Sequence, residues 1–174
     1  YNCPSNVITE IGGRLGSRTG TGWTFANHTA VIDRGKLIVS ALPAPQRPLK
    51  LHICGRYTLA NGETLVIETA ARHELSSLRQ PPSVALLDAE RVKMPLLLRK
   101  VEEGDRFTPF GMKGTKLVSD FLTDMKMPLH LKQRQLCLLD ATQRIVWVVG
   151  QRISDNCRVS AGTKQILKMT FVTG

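Results

Sequence analysis

The residues best placed to do chemistry lie in one run, 104–116, which reads Gly-Asp-Arg-Phe-Thr-Pro-Phe-Gly-Met-Lys-Gly-Thr-Lys. Gly104, Gly111 and Gly114 permit sharp turns and a close approach of a ligand to peptide N–H groups. Arg106 offers a planar fork that matches two phosphate oxygens. Lys113 and Lys116 stand just ahead of a predicted helix, whose N-terminus favours anions. Phe107 and Phe110 suit either stacking on bases or anchoring in a core. Asp105 can orient Arg106 or cap a turn. Further cations follow at Lys126, Lys132, Arg134, Arg144, Arg152 and Arg158. The available chemistry is the binding of a polyanion through its phosphates, which gives affinity more than sequence discrimination.

Other reactive types are scattered. His28, His52, His73 and His130 are too far apart for a His-x₃₋₅-His metal pair. His130 adjoins the basic segment and is a weaker phosphate contact. Cys3, Cys54, Cys137 and Cys157 include no C-x-x-C pair, so they read as small buried apolar residues rather than zinc ligands or a disulfide scaffold. A Cys137–His130 nucleophile pair has nothing in the sequence to single it out, and no serine occupies a G-x-S-x-G elbow. Glu102, Glu103 and Asp105 stand among Arg99, Lys100 and Arg106, a local charge balance in a turn. The sequence therefore offers no catalytic residue and no metal site.

The elements that must position the run are mostly short strands. Residues 5–12 read as a helix capped by Ser5 and closed by Gly12. The glycine-rich stretch 12–22 reads as a linker. Segments 29–32 and 36–40 flank Asp33-Arg34-Gly35, and segments 51–59 and 63–70 flank Ala60-Asn61-Gly62. Both are hairpin signals. Residues 41–48 hold three prolines and must be irregular. Residues 72–82 form a polar connection. Apolar runs at 84–88 and 96–101 read as strands, and 104–114 as a tight loop. Apolar positions Leu117, Val118, Phe121, Leu122 and Met125 share one helical face. Thr115 is the predicted cap of that helix, and Pro128 its stop. A short helix follows over 129–134, then a hairpin of 135–140 with 145–149, and a last strand over 165–172. The fold class is α+β, with several short antiparallel strands and one or two helices.

Composition and charge narrow the partner. The chain has 174 residues, 42% of them hydrophobic and 22% charged, which suits one packed domain or slightly more. No apolar run reaches the roughly 18 residues of a membrane helix. The net charge is +10. Residues 1–90 hold 9 basic and 7 acidic groups; residues 91–174 hold 15 and 7, a net +8. An excess confined to one half points to a polyanion partner for that half. The chain starts at Tyr1 rather than Met, which suggests a part of something longer.

The run 103–116, continued by Ser119-Asp120-Phe121 and Lys126-Met127-Pro128, resembles the C-terminal domain of the bacterial tRNA(Ile)-lysidine synthetases. So does the segment 145–153, Ile-Val-Trp-Val-Val-Gly-Gln-Arg-Ile. Upstream, Thr29 and residues 33–38 resemble the stretch that precedes that domain. The resemblance implies a β-rich α+β fold of the type shared with the phenylalanyl-tRNA synthetase β-subunit. It implies that residues 1–24 are the end of a middle segment with a glycine-rich linker, and that 25–174 are the tRNA-recognition domain. Within the latter, 25–90 would be the β-rich part and 91–174 the basic, motif-bearing part.

The same resemblance implies a parent enzyme that uses ATP and magnesium to join lysine to C2 of the wobble cytidine of the CAU-anticodon isoleucine tRNA. The family's Ser-Gly-Gly-x-Asp-Ser loop does not occur here. ATP and magnesium would therefore belong to an N-terminal domain outside these residues, with no cofactor in this part and no catalysis by it alone. The implied role is to grip the tRNA acceptor stem, carried by Arg106, Lys113, Lys116 and Arg152, with Lys126 and Arg134 secondary. Gly104, Gly111 and Gly114 would shape the loop, while Asp105, Phe107, Pro109, Asp120, Phe121 and Trp147 would hold the fold. Leu117 stands where family members often carry a second basic residue, so one phosphate contact is missing or replaced. The resemblance further implies a cytoplasmic protein and leaves homodimerisation open. The alternative is a homologous domain of another tRNA enzyme that docks protein rather than RNA.

Overall fold

The computed structural model describes residues 3–42 and 47–173. The irregular segment expected over 41–48 therefore lies largely outside the described residues. The chain opens with α1 (Ser5–Gly13), β1 (Gly22–Phe25), β2 (His28–Asp33) and β3 (Lys36–Ala41). It continues through β4 (Leu49–Leu51), β5 (Gly55–Thr58), β6 (Thr64–Ala71), β7 (Val84–Asp88) and β8 (Leu96–Lys100). Then come β9 (Arg106–Phe107), β10 (Lys116–Leu117), α2 (Val118–Asp124) and α3 (Leu129–Lys132). The last strands are β11 (Leu136–Leu139), β12 (Ile145–Val148), β13 (Arg152–Ile153) and β14 (Gln165–Val172).

Every strand pairing is antiparallel. The strands form sheets in the orders β1-β2-β3, β10-β9, β13-β12-β11-β8-β4 and β5-β6-β14-β7. The expected α+β class holds, and the two hairpins read from their turns are present. In β2–β3, Asp33 pairs with Lys36 across Arg34 and Gly35, whose φ values of 50° and 74° match a two-residue turn that follows the natural strand twist.

The four- and five-stranded sheets face each other across the main core. Leu65, Ile67, Leu87 and Met169 meet Leu96, Leu98, Leu138 and Trp147 there. The opposite face of the five-stranded sheet packs on α2 and β9. Phe107, Val118, Phe121 and Leu122 cover Cys137, Leu139, Ile145 and Val148. β11 is thus buried on both faces, with alternate side chains entering different cores. That is why it reads as an unbroken apolar run rather than as an alternation. The register of β11 with β12 shifts at Leu138/Leu139, which lets consecutive Val146 and Trp147 both enter the main core.

Several local expectations are corrected. The strand foreseen over 51–59 is two strands in two sheets. Leu51 pairs with Leu96 of β8, whereas Gly55 to Thr58 pair with β6. The chain crosses between layers in the intervening residues, which its composition does not announce. Ser5 does not cap α1; Pro4 holds the N-cap position, and the helix runs past Gly12 to Gly13. Thr115 does not cap α2, which starts after Leu117 with no side-chain cap. Nor does Pro128 end it: Lys126 already takes a left-handed φ of 55°. Pro128 instead precedes α3, which stops at Lys132 rather than at Arg134. The loop foreseen over 104–114 contains β9, paired with β10. Apart from these corrections, β1 spans Gly22–Phe25, and both larger sheets take strands from before and after residue 90.

Candidate nucleic-acid interface

The basic run is a hairpin pinned at both ends. At its base the Asp105 carboxylate accepts two hydrogen bonds from the Arg99 guanidinium, each 2.8 Å, and one from the Glu102 N–H at 2.7 Å. Burial alone would push the Asp105 pKa up, but these donors outweigh it and hold the group below the ordinary carboxylate range. The Asp105 carbonyl accepts from the Val118 N–H at 2.8 Å, which locks the first turn of α2 to the hairpin. Asp105 therefore caps a turn and pairs with Arg99; it does not orient Arg106.

The far end is tied to β13 and the turn after it. The Phe110 N–H donates to Ile153 O at 3.0 Å, and the Asp155 N–H donates to Thr108 O at 2.7 Å. The Gly111 N–H donates to Asp155 Oδ1 at 3.0 Å. Gly104, Gly111 and Gly114 have φ values of 86°, 82° and 85°. At Gly111 this conformation is what turns the N–H toward Asp155, and a side chain there would be strained. The amides at 110 and 111 are thus consumed within the fold, as is the first N–H of α2. The expected cradle of free backbone donors is not formed at these positions, and the exposed donors of the hairpin are its cationic side chains.

Those side chains differ in availability. Arg106 on β9, Lys113 in the hairpin loop and Arg152 on β13 are exposed and make no ion pair or side-chain hydrogen bond among the described residues. Lys116 is different, because its ammonium is paired with the Asp124 carboxylate at the end of α2. Lys126 is exposed beyond the C-terminal end of α2, and its carbonyl accepts from Arg34 at 2.8 Å. Arg134 is half-buried and donates to the Ala41 carbonyl, which turns it toward the β1–β3 unit. The structure thus gathers Arg106, Lys113, Lys116 and Arg152 around the hairpin and β13, while Lys126 and Arg134 lie near the helix ends that meet that unit.

The aromatic pair divides. Phe107 is buried and meets Phe121 edge-on, with ring centroids 5.2 Å apart. Phe110 is 46% exposed. Trp147 is buried in the main core, but Asp120, expected to hold the fold, is exposed in the first turn of α2. Met112 is also exposed beside Phe110. Together with Arg152, Arg79 and Gln80 they line a groove of about 600 Å³.

Burial pushes the Cys137 thiol up to about 12, so it is protonated and unreactive at neutral pH. His130 is half-buried in α3, with Nδ1 shielded from solvent and lacking a hydrogen-bond partner among the described residues. Cys157 is likewise buried and raised to about 12, whereas Cys54 is exposed, contrary to its reading as a core residue. Among the described residues no group of three or more His, Cys, Asp or Glu side chains could hold a metal ion.

Sequence reasoning missed Asp155, Asp124 and Arg79. Asp155 lies 44 positions from the glycine it holds. Arg79 sits in a segment read only as a polar connection. None of the three carries a local signal; only the fold brings them to the hairpin.

Residues 90–169 match the family described as "TilS substrate C-terminal domain". A tRNA(Ile)-lysidine synthase of Parabacteroides distasonis is 44% identical over 91 residues, which are 51% of this chain and 20% of that protein. The corresponding protein of Bacteroides thetaiotaomicron is 39% identical over 83 residues, 48% of this chain and 19% of that one. The aligned part thus spans about a fifth of the length of these curated relatives. A crystal structure of a TILS C-terminal domain superposes with a TM-score of 0.60 at 22% identity, covering 72% of this chain and 96% of the other. That likeness is one of fold.

Proposed function

We propose that this chain, whose residues 90–169 match the model of the TilS substrate C-terminal domain, binds tRNA for a tRNA(Ile)-lysidine synthase and that it grips the acceptor stem. One observation carries the reading. Arg106, Lys113 and Arg152, exposed and without counter-ions among the described residues, surround a hairpin whose backbone is fixed by Arg99–Asp105 at one end and Asp155 at the other. An A-form stem presents phosphates and 2′-hydroxyls across a shallow minor groove, and such a stem is read by shape. Cations held on a stiff hairpin meet that surface with little ordering cost on binding.

In this reading Lys116 is a reserve cation, drawn from Asp124 when a phosphate replaces the carboxylate. Lys126 and Arg134 flank the footprint. The whole enzyme joins lysine to the wobble cytidine of isoleucine tRNA with ATP and magnesium held outside these residues, in the cytoplasm. These residues contribute orientation of the substrate rather than a chemical step. No helix among the described residues is long and apolar enough to cross a membrane.

The test is a salt titration of three ligands: CAU-anticodon isoleucine tRNA, a minihelix of its acceptor stem, and duplex DNA of matched length. Binding of the minihelix nearly as tight as that of the whole tRNA, and tighter than that of the DNA, supports the reading. Equal weak binding of all three, or none, assigns the basic face to solvent or to protein docking.

A further inference from the structure

We propose that the groove beside the basic hairpin is a site for an unpaired nucleobase of the bound RNA. This rests on the duplex-binding reading above and extends it. The groove has a volume of about 600 Å³, with Trp147 and Leu86 among its apolar lining residues. Phe110 and Met112 stand at its hairpin side, 46% and 42% exposed. Arg152 borders it on β13, and Arg79 borders it from the segment that precedes β7.

Three features fit a nucleotide. First, Phe110 is an exposed aromatic ring on a backbone that is tied down. Its own N–H is bonded to Ile153, and its neighbour Gly111 is bonded to Asp155. A ring presented so firmly pays little ordering entropy when a base stacks on it. Second, the groove joins apolar surface to cations, as a nucleotide joins a flat π-face to an anionic phosphate. Third, the nearby acidic group is already engaged, since the Asp155 carboxylate accepts from Gly111 and pairs with Arg158. Among the described residues neither Arg79 nor Arg152 has an ion-pair partner, as a phosphate would require. The groove shares its Phe110–Met112 side with the hairpin that carries Arg106 and Lys113. A strand leaving a duplex held by those cations thus reaches the groove at once.

The test uses the 174-residue chain with two RNAs. One is a blunt acceptor-stem minihelix; the other is the same duplex with a short unpaired 3′ extension containing 2-aminopurine. The extended RNA is expected to bind roughly 10-fold tighter, within the range for one base stacked on an aromatic side chain. The fluorescence of its 2-aminopurine should fall on binding. Phe110→Ala should abolish the roughly 10-fold preference and leave blunt-duplex affinity and Tm unchanged, and Phe110→Trp should retain it. Equal affinity of the wild type for both RNAs overturns the groove assignment while leaving duplex binding intact. A Phe110→Ala effect equal on both RNAs overturns it too. Failure of both RNAs to bind removes the duplex reading and this inference together. Displacement of the quenched base by no RNA competitor but by an acidic, aromatic peptide would reassign the groove to protein docking.

Discussion

Arg106 and Lys116 are equivalent in the sequence as basic residues flanking one loop, and their alanine variants should nevertheless behave differently. Arg106 is exposed without a counter-ion among the described residues, whereas Lys116 is paired with Asp124. Each duplex phosphate neutralised by a protein cation adds about −0.9 to the slope of log affinity against log salt. Five such contacts, the number suggested by the motif alone, would give roughly −4 to −5. The three unencumbered cations at the hairpin and β13 give about −2.7, so a fourfold rise in salt from about 50 to 200 mM should weaken binding about 40-fold. Arg106→Ala should bring the slope to about −1.8 and the same loss to about 12-fold. Lys116→Ala should change it by less than half as much, because an ammonium that must leave one carboxylate for one phosphate releases few counterions. Asp124→Asn frees that ammonium and should move the slope toward about −3.6 with tighter binding at low salt. Fluorescence anisotropy of a labelled acceptor-stem minihelix across a KCl series measures all four proteins. A Lys116→Ala slope change as large as that of Arg106→Ala, or an Arg106→Ala slope equal to the wild type, would refute the assignment of availability from side-chain pairing.

Further outcomes follow from the supporting contacts. Asp105→Ala removes the two-pronged partner of Arg99 in a pair whose side chains are only 12% and 13% exposed and leaves it a longer contact to Glu102 at 3.7 Å, and chemical denaturation should show a loss on the order of 3 kcal/mol. The Asp105 and Asp140 carboxyls are both held below their ordinary range, burial opposing and hydrogen bonds from Arg99 and from Thr142 and Arg144 prevailing. Folding therefore weakens their proton affinity. Their contribution should be complete above the unfolded pKa of about 4 and fade as pH falls through the folded values. Acid titration of Asp105→Asn should show a shallower decline over that window than the wild type. A thiol reagent at neutral pH should label exposed Cys54 in the native protein and reach buried Cys137 and Cys157 only on unfolding; rapid native labelling of Cys137 would contradict its burial. Phe107→Ala removes a buried ring packed on Phe121 and should cost about 3–5 kcal/mol in stability, whereas Phe110→Ala should leave Tm nearly unchanged.

The residue motifs specified much about this chain because some physics is local. The Arg34-Gly35 and Asn61-Gly62 turns dictate hairpins through backbone preferences that act within a few residues, and both hairpins stand where the turns place them. The apolar face of 117–125 fixed that a helix lies there, and the basic excess after residue 90 marked the half in which Arg106, Lys113 and Arg152 stand exposed. The motif run also pointed to the family whose model residues 90–169 match.

Non-local packing decided the rest. The tract 51–59 could not reveal that it divides between two sheets, because strand partners are chosen by layers built from distant segments. Composition could not separate Phe107 from Phe110; the first reaches Phe121 across a core, while the second is turned outward by its bonds to Ile153 and Asp155. Lys116 and Arg106 carry similar charge in the sequence, but only the fold brings Asp124 to one and leaves the other open. Local preference sets turn chemistry and helix periodicity. Which cation is free, which ring is exposed and where a groove opens depend on pairings across the whole chain, and these exist only once the sheets have packed.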